Sequence, residues 1–162
     1  MQCLVSACLL GQACRYDGAS KPHAGVQAAV QTWQREGVQV TAVCPEELGD
    51  LGTPRPGAHL VGGDGHAVLA GQASVQRVAD AGDVTAEFVA GAQRAAAVAP
   101  DAQFAVLKSF SPSCGCGWTE IDGLRQAGDG VFAAFLRQRG VKLCTEAELG
   151  DWPAQPPARA TR

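Results

Sequence analysis

Phe104-Ala105-Val106-Leu107-Lys108 reads as a short buried strand. It runs straight into Ser109-Phe110-Ser111-Pro112-Ser113-Cys114-Gly115-Cys116-Gly117, a stretch of hydroxyl and turn-forming residues. The same succession occurs twice more. Met1 to Ser6 reads as a buried strand and is followed by Ala7-Cys8-Leu9-Leu10-Gly11; Val38 to Val43 alternates with β-branched residues and is followed by Cys44-Pro45-Glu46-Glu47. Each strand delivers one cysteine into the loop at its carboxyl end. Open α/β sheets place their sites beyond those ends. Three thiols from three separate loops are therefore expected to share one centre.

Helical patterns lie between these strands. Val26, Val30 and Trp33 recur at helical spacing, and Gly37 stops that helix. Asp83 or Thr85 is expected to cap a helix running to about Ala99, with Pro100 as its end. Gly128-Asp129-Gly130 precedes a helix carrying Val131, Phe132, Phe135 and Leu136, stopped by Gly140 before a fourth strand, Val141 to Cys144. Thr145-Glu146-Ala147-Glu148 has the form of a capping box and predicts a last short helix. Residues 44–58 read as a turn-rich loop. Gly62-Gly63-Asp64-Gly65 reads as a hairpin turn between 59–61 and 67–69, with no helix after it, so its likeness to a phosphate loop is superficial. Strands alternating with helices predict a single α/β domain over residues 1–152, a mostly parallel sheet with helices packed on its faces. A tail at 153–162 is expected to be disordered.

The 162 residues fit one core. Charged residues make up 18% and the net charge is −3 at pH 7, so no basic face for duplex nucleic acid is expected. The amino-terminal residues lack the pattern of a signal peptide, and no run approaches a membrane span. A soluble, cytoplasmic protein with reduced thiols is expected. Seven cysteines, an odd number, argue against a fully paired disulfide framework. Each is then a core residue, a metal ligand or a reactive thiol.

Cys3 and Cys144 lie within apolar strands and read as core residues. Cys8, Cys44 and Cys114 lie in loops beside glycine, proline, hydroxyls and carboxylates. Paired zinc knuckles would show Cys-x(2–4)-Cys twice; Cys114-x-Cys116 and Cys8-x5-Cys14 fit this poorly, and no Cys-x-x-Cys redox pair occurs. Three dispersed thiolates fit an iron–sulfur cluster better, with one iron left open to substrate. Glu46 beside Cys44 is a candidate acid or base, while Glu47 reads as a helix-entry residue. Ser109, Ser111 and Ser113 are candidate hydrogen-bond donors; Lys108 and Arg55 are candidate partners for an anionic group. His23, His59 and His66 are isolated. A cluster-binding or sulfur-carrier module without catalysis, a zinc-stabilised binding domain and a cysteine-nucleophile hydrolase stand as alternatives.

The motifs Ser6-Ala7-Cys8-Leu9-Leu10-Gly11, Cys14-Arg15-Tyr16-Asp17-Gly18, Cys44-Pro45-Glu46, Thr53-Pro54-Arg55-Pro56, Ser111-Pro112-Ser113-Cys114-Gly115 and Gly128-Asp129-Gly130-Val131 occur in this order. From about residue 3 to 149 the chain resembles the DUF523 family, which includes the TudS-type thiouracil desulfurases. The resemblance implies a [4Fe-4S] cluster held by Cys8, Cys44 and Cys114. It implies a non-redox desulfuration of thiolated pyrimidines in which water replaces the thiocarbonyl sulfur, giving uracil and sulfide from thiouracil. On that resemblance Glu46 is the acid/base, and Ser111 with Ser109 positions substrate and relays protons; from their own chemistry Ser113, Lys108 and Arg55 are expected to bind substrate. The expected partners are a small thiolated pyrimidine or nucleotide and a sulfur acceptor, with neither a membrane nor duplex nucleic acid. Cys14 and Cys116 stand beside two of the three ligands as rival thiols.

Overall fold

The computed structural model describes residues 1–150. Four parallel strands form the central sheet: β1 (Gln2–Ser6), β2 (Gln39–Val43), β5 (Ala102–Leu107) and β8 (Lys142–Thr145), in the spatial order β2-β1-β5-β8. Alternation along each strand sends residues to opposite faces. Cys3, Val5, Phe104 and Val106 meet Val26, Val30 and Trp33 of α1 (Ala24–Arg35) on one face. Leu4, Ala105 and Leu107 face the other way. There they join Phe88, Ala92 and Ala95 of α4 (Thr85–Val98) and Phe132 and Leu136 of α5 (Val131–Gln138). Because both faces are covered, the central strands read as apolar runs, Cys3 to Val5 in β1 and Phe104 to Leu107 in β5. This is the expected α/β domain.

A second sheet was not legible in the sequence. It has the order β4-β3-β6-β7, built from β3 (Ala58–Val61), β4 (Ser74–Arg77), β6 (Trp118–Ile121) and β7 (Leu124–Ala127). β3 and β4 are antiparallel, β6 and β7 are antiparallel, and β3 meets β6 in parallel through Leu60 and Ile121. The β6–β7 turn is Asp122-Gly123, with φ of 52° and 79°. Two positive φ values mark the tight hairpin turn that Asp-Gly favours.

Three expectations are corrected. Gly62-Gly63-Asp64-Gly65 does not turn a hairpin between 59–61 and 67–69. Asp64 caps α3 (Gly65–Leu69), its carboxylate accepting from the amides of His66 and Ala67 at 3.1 and 3.2 Å, so a short helix does follow. The antiparallel partner of β3 is β4, beyond that helix. Residues 44–58 are not all loop: Pro45 opens a one-turn helix, α2 (Pro45–Leu48). Residues 146–148, after β8, form a turn without a helix. The Thr145 hydroxyl donates to Glu148 at 2.9 Å, and Glu146 is drawn away to Ser109. The tail expected at 153–162 lies outside the described residues. Among those residues no helix is long and apolar enough to cross a membrane.

Candidate active site

The chain leaves β1 for α1 on one face of the sheet, and leaves β5 for α5 on the other. Where neighbouring strands send their connections to opposite faces, a crevice opens at their carboxyl ends. A cleft of about 650 Å³ lies there, and Cys8, Cys44, Cys114, Glu46, Arg55, Lys108, Ser109, Ser111 and Ser113 all line it. All nine residues singled out from the sequence thus meet in one place. Val78, Ala79, Glu120 and Arg125, from the second sheet and its flank, line it as well.

The thiols follow the order of the strands. Cys44 succeeds β2, Cys8 lies in the 3-10 turn after β1 (Ala7–Leu10), and Cys114 lies in the loop after β5. Cys14 also lines the cleft. Its sulfur, that of Cys44 and a Glu47 carboxylate oxygen lie within 4.8 Å of one another. Cys116 does not line the cleft; its sulfur accepts from Arg137 at 3.4 Å. Burial pushes the Cys114 thiol up to about 12, although hydrogen bonds from Ser6 and Ser113 favour its thiolate. Cys44 is raised by its contact with Cys14 and by burial. For Cys14 the contact with Cys44 favours the thiolate, but the contact with Cys8 and burial outweigh it. All seven cysteines are free. Thiols gathered in one buried place, with burial raising Cys14, Cys44 and Cys114, are suited to a cationic centre, which displaces their protons.

Beside the thiols runs a continuous polar chain. Glu46, in the first turn of α2, accepts from the Ser113 hydroxyl at 2.9 Å through one oxygen and meets Arg55 Nε at 3.3 Å through the other. The Ser113 and Ser111 hydroxyls are 3.0 Å apart, and Ser111 Oγ accepts from the Cys114 amide at 3.0 Å. Ser113 is only 1% exposed, so it links Ser111 to Glu46 from inside the wall. Arg55, 9% exposed, also donates to the carbonyls of Gly52 and Cys14 at 2.9 Å each, and its guanidinium lies 3.9 Å from the Cys44 sulfur. A buried cation needs such partners.

Lys108 and Ser109 form a separate group. The Ser109 hydroxyl and amide donate to Glu146 at 2.5 and 2.9 Å, and Lys108 Nζ lies 3.1 Å from the same carboxylate. Burial alone would raise the Glu146 carboxyl, but the Ser109 bonds and Lys108 more than offset it, and it lies below the ordinary value. Glu146 went unrecognised because its capping-box context pointed to a helix. Ser6 was also missed. It is buried in the cleft wall, and its hydroxyl accepts from the Lys108 amide at 2.9 Å. Nothing in a strand-end serine signals that bond, which spans 102 positions of sequence.

The position of α2 is set by α4. A Cβ on Gly91 would come within 2.0 Å of the Pro45 carbonyl oxygen, and one on Gly49 within 2.2 Å of the Glu87 carbonyl oxygen. The two helices therefore touch backbone to backbone, and that contact fixes Glu46 against the loop of Cys114.

A parallel sheet with converging thiols and a carboxylate–hydroxyl chain defines an α/β protein with a thiol-rich site at its strand ends. The chain belongs to the 2-thiouracil desulfurase family, whose model matches residues 3–148. It is 38% identical over 153 residues to the Bacillus subtilis (strain 168) protein YbbK, described as uncharacterized, across 91% of this chain and 97% of that one. It is similar to the solved structure of a [4Fe-4S]-dependent thiouracil desulfidase, TudS, with a TM-score of 0.77 and 37% identity, covering 94% of this chain and 95% of that one.

Proposed function

We propose that this protein is a [4Fe-4S]-dependent thiouracil desulfurase, which exchanges the thiocarbonyl sulfur of a thiolated pyrimidine for oxygen from water. The observation that carries the reading is the convergence of Cys8, Cys44 and Cys114 from the ends of three adjacent strands, beside Glu46. These three thiolates would hold the cluster. When bound, it supplies a thiophilic Lewis acid that polarises the carbon–sulfur bond.

Glu46 then takes a proton from the attacking water. The Ser113 and Ser111 hydroxyls extend from it along the loop of Cys114 and can move that proton along. Arg55 holds the Glu46 carboxylate in place and balances charge beside Cys44. Lys108 and Ser109, fixed by Glu146, orient the substrate from the start of the same loop. The water contributes the oxygen and both of its protons leave it, while sulfur departs with its electron pair as sulfide, so no electron donor is required. A cytoplasmic setting keeps the thiols reduced, and the sulfide leaves directly or passes to a sulfur acceptor.

The test is purification without oxygen, counting of iron and labile sulfide, and assay of sulfide release from thiouracil. Stoichiometric iron with release of uracil and sulfide is expected. Cys8→Ala, Cys44→Ala and Cys114→Ala each lose the iron, whereas Cys116→Ala and Cys14→Ala retain it. The group formed by Cys14, Cys44 and Glu47 supports a second reading, a zinc-stabilised binding domain. Stoichiometric zinc without iron or labile sulfide, and no turnover, would select it.

A further inference from the structure

Phe110 stands between Ser109 and Ser111 with a backbone φ of 61°. A bulky residue in the left-handed region is an outlier, and such strain persists only where the surroundings impose it. Here they do. Phe110 bridges to Thr119 of β6, and the Thr119 hydroxyl donates to the Ser111 carbonyl at 3.2 Å. The ring is not used as core: Phe110 is 38% exposed and lines the cleft. Arg125, from the edge strand β7, stacks its guanidinium 4.0 Å from the ring centroid. Arg125 faces Glu120 across the hairpin, yet none of the ion pairs among the described residues uses it. The second sheet thus props an aromatic ring in the cleft, one residue from Ser109 and from Ser111.

We infer that Phe110 is the stacking wall for the substrate ring: Arg125 backs one face of the phenyl group, and the planar pyrimidine lies on the other. This rests on the desulfurase reading and names what that site selects. Hydrogen bonds and the thiocarbonyl are features that a saturated cyclic thioamide shares with an aromatic one. A flat π face is not, and an aromatic wall favours it. The specificity-determining property is then the planarity of the heterocycle, enforced by a residue that never touches the thiocarbonyl sulfur.

The test compares two ligands with the same ring atoms and the same polar edge, uracil and 5,6-dihydrouracil, titrated by calorimetry into the cluster-loaded protein. Wild type is expected to bind uracil about tenfold more tightly, the scale of base–aromatic stacking. Phe110→Leu, which keeps apolar bulk without a π face, and Phe110→Gly, which accepts the left-handed backbone, are expected to lose that preference. A substitution that merely disturbed the loop would weaken both ligands alike and leave their ratio in place. Should Phe110→Gly not fold, Phe110→Leu carries the comparison. Retention of the wild-type ratio in the folded variants, or no preference in wild type, overturns the stacking wall and leaves the desulfurase reading standing. Failure of wild type to bind either ligand while it still releases sulfide from thiouracil overturns the stacking wall alone; failure of cluster-loaded wild type to release sulfide overturns the desulfurase reading and the stacking wall with it.

Discussion

The Ser113 hydroxyl donates to the Glu46 carboxylate at 2.9 Å, joining the loop after β5 to the helix after β2 across 67 positions of sequence. Arg55 occupies the other carboxylate oxygen, so Glu46 is held from both sides. Glu46→Gln keeps the shape and can still accept from Ser113, but it cannot take up a proton. Turnover is expected to fall by about 10²-fold or more, with iron and labile sulfide unchanged. A sulfur-carrier or cluster-binding module would show no functional loss in this variant.

Arg55 is buried and serves Glu46, two backbone carbonyls and the Cys44 sulfur at once. Arg55→Ala strips a carboxylate and two carbonyls of their donor. A loss of about 3 kcal/mol is expected, measured by urea unfolding. Arg55→Lys rescues little of it, because an ammonium cannot reproduce the planar fork.

Gly91→Ala would ordinarily strengthen a helix by about 1 kcal/mol. Here the added methyl group meets the Pro45 carbonyl at 2.0 Å, backbone that has no rotamer in which to yield. Net destabilisation of about 2 kcal/mol is expected, read as a lowered thermal midpoint. Turnover should drop with it, since α2 must move and takes Glu46 along.

Asp129 joins the loop before α5 to the rest of that end of the domain. It accepts from the Gly117 amide, His66 and Arg137 at 2.8 Å each. Burial alone would raise its carboxyl, but the bonds from Arg137, Gly117 and His66 outweigh burial and hold it below its ordinary value of 3.8. A depressed folded value stabilises the fold above the unfolded value, and that stabilisation vanishes as pH falls through the folded one. Wild type is therefore expected to lose stability progressively below about pH 4. Asp129→Asn should be less stable at neutral pH and show a shallower acid loss, measured as urea midpoints against pH.

The parallel sheet was legible because its central strands β1 and β5 carry apolar runs buried on both faces and its edge strands β2 and β8 end in buried residues, and the nine site residues were legible because they follow those strands. The second sheet was not. Its strands are four residues each, β7 is largely exposed, and β3 and β6 pair through a single register position 61 residues apart. No local pattern announces such a pairing. Asp122-Gly123 did carry a hairpin signal, whereas Gly62-Gly63-Asp64-Gly65 offered a false one, since Asp64 binds amides of the helix ahead of it. Glu146 and Ser6 were missed for a related reason: their partners are 37 and 102 positions away.

The order in which the thiols occur along the chain bears on how the protein matures. Cys8 and Cys44 emerge early from the ribosome, but Cys114 follows β5, the strand that docks beside β1 from the far side of the sheet. A nascent or truncated chain ending before β5 has half of the site and no Glu46–Ser113 link to close it. On the proposed ligand set, a metal centre can be completed only after β5 has docked beside β1, and retention of metal would report that β2, β1 and β5 have assembled.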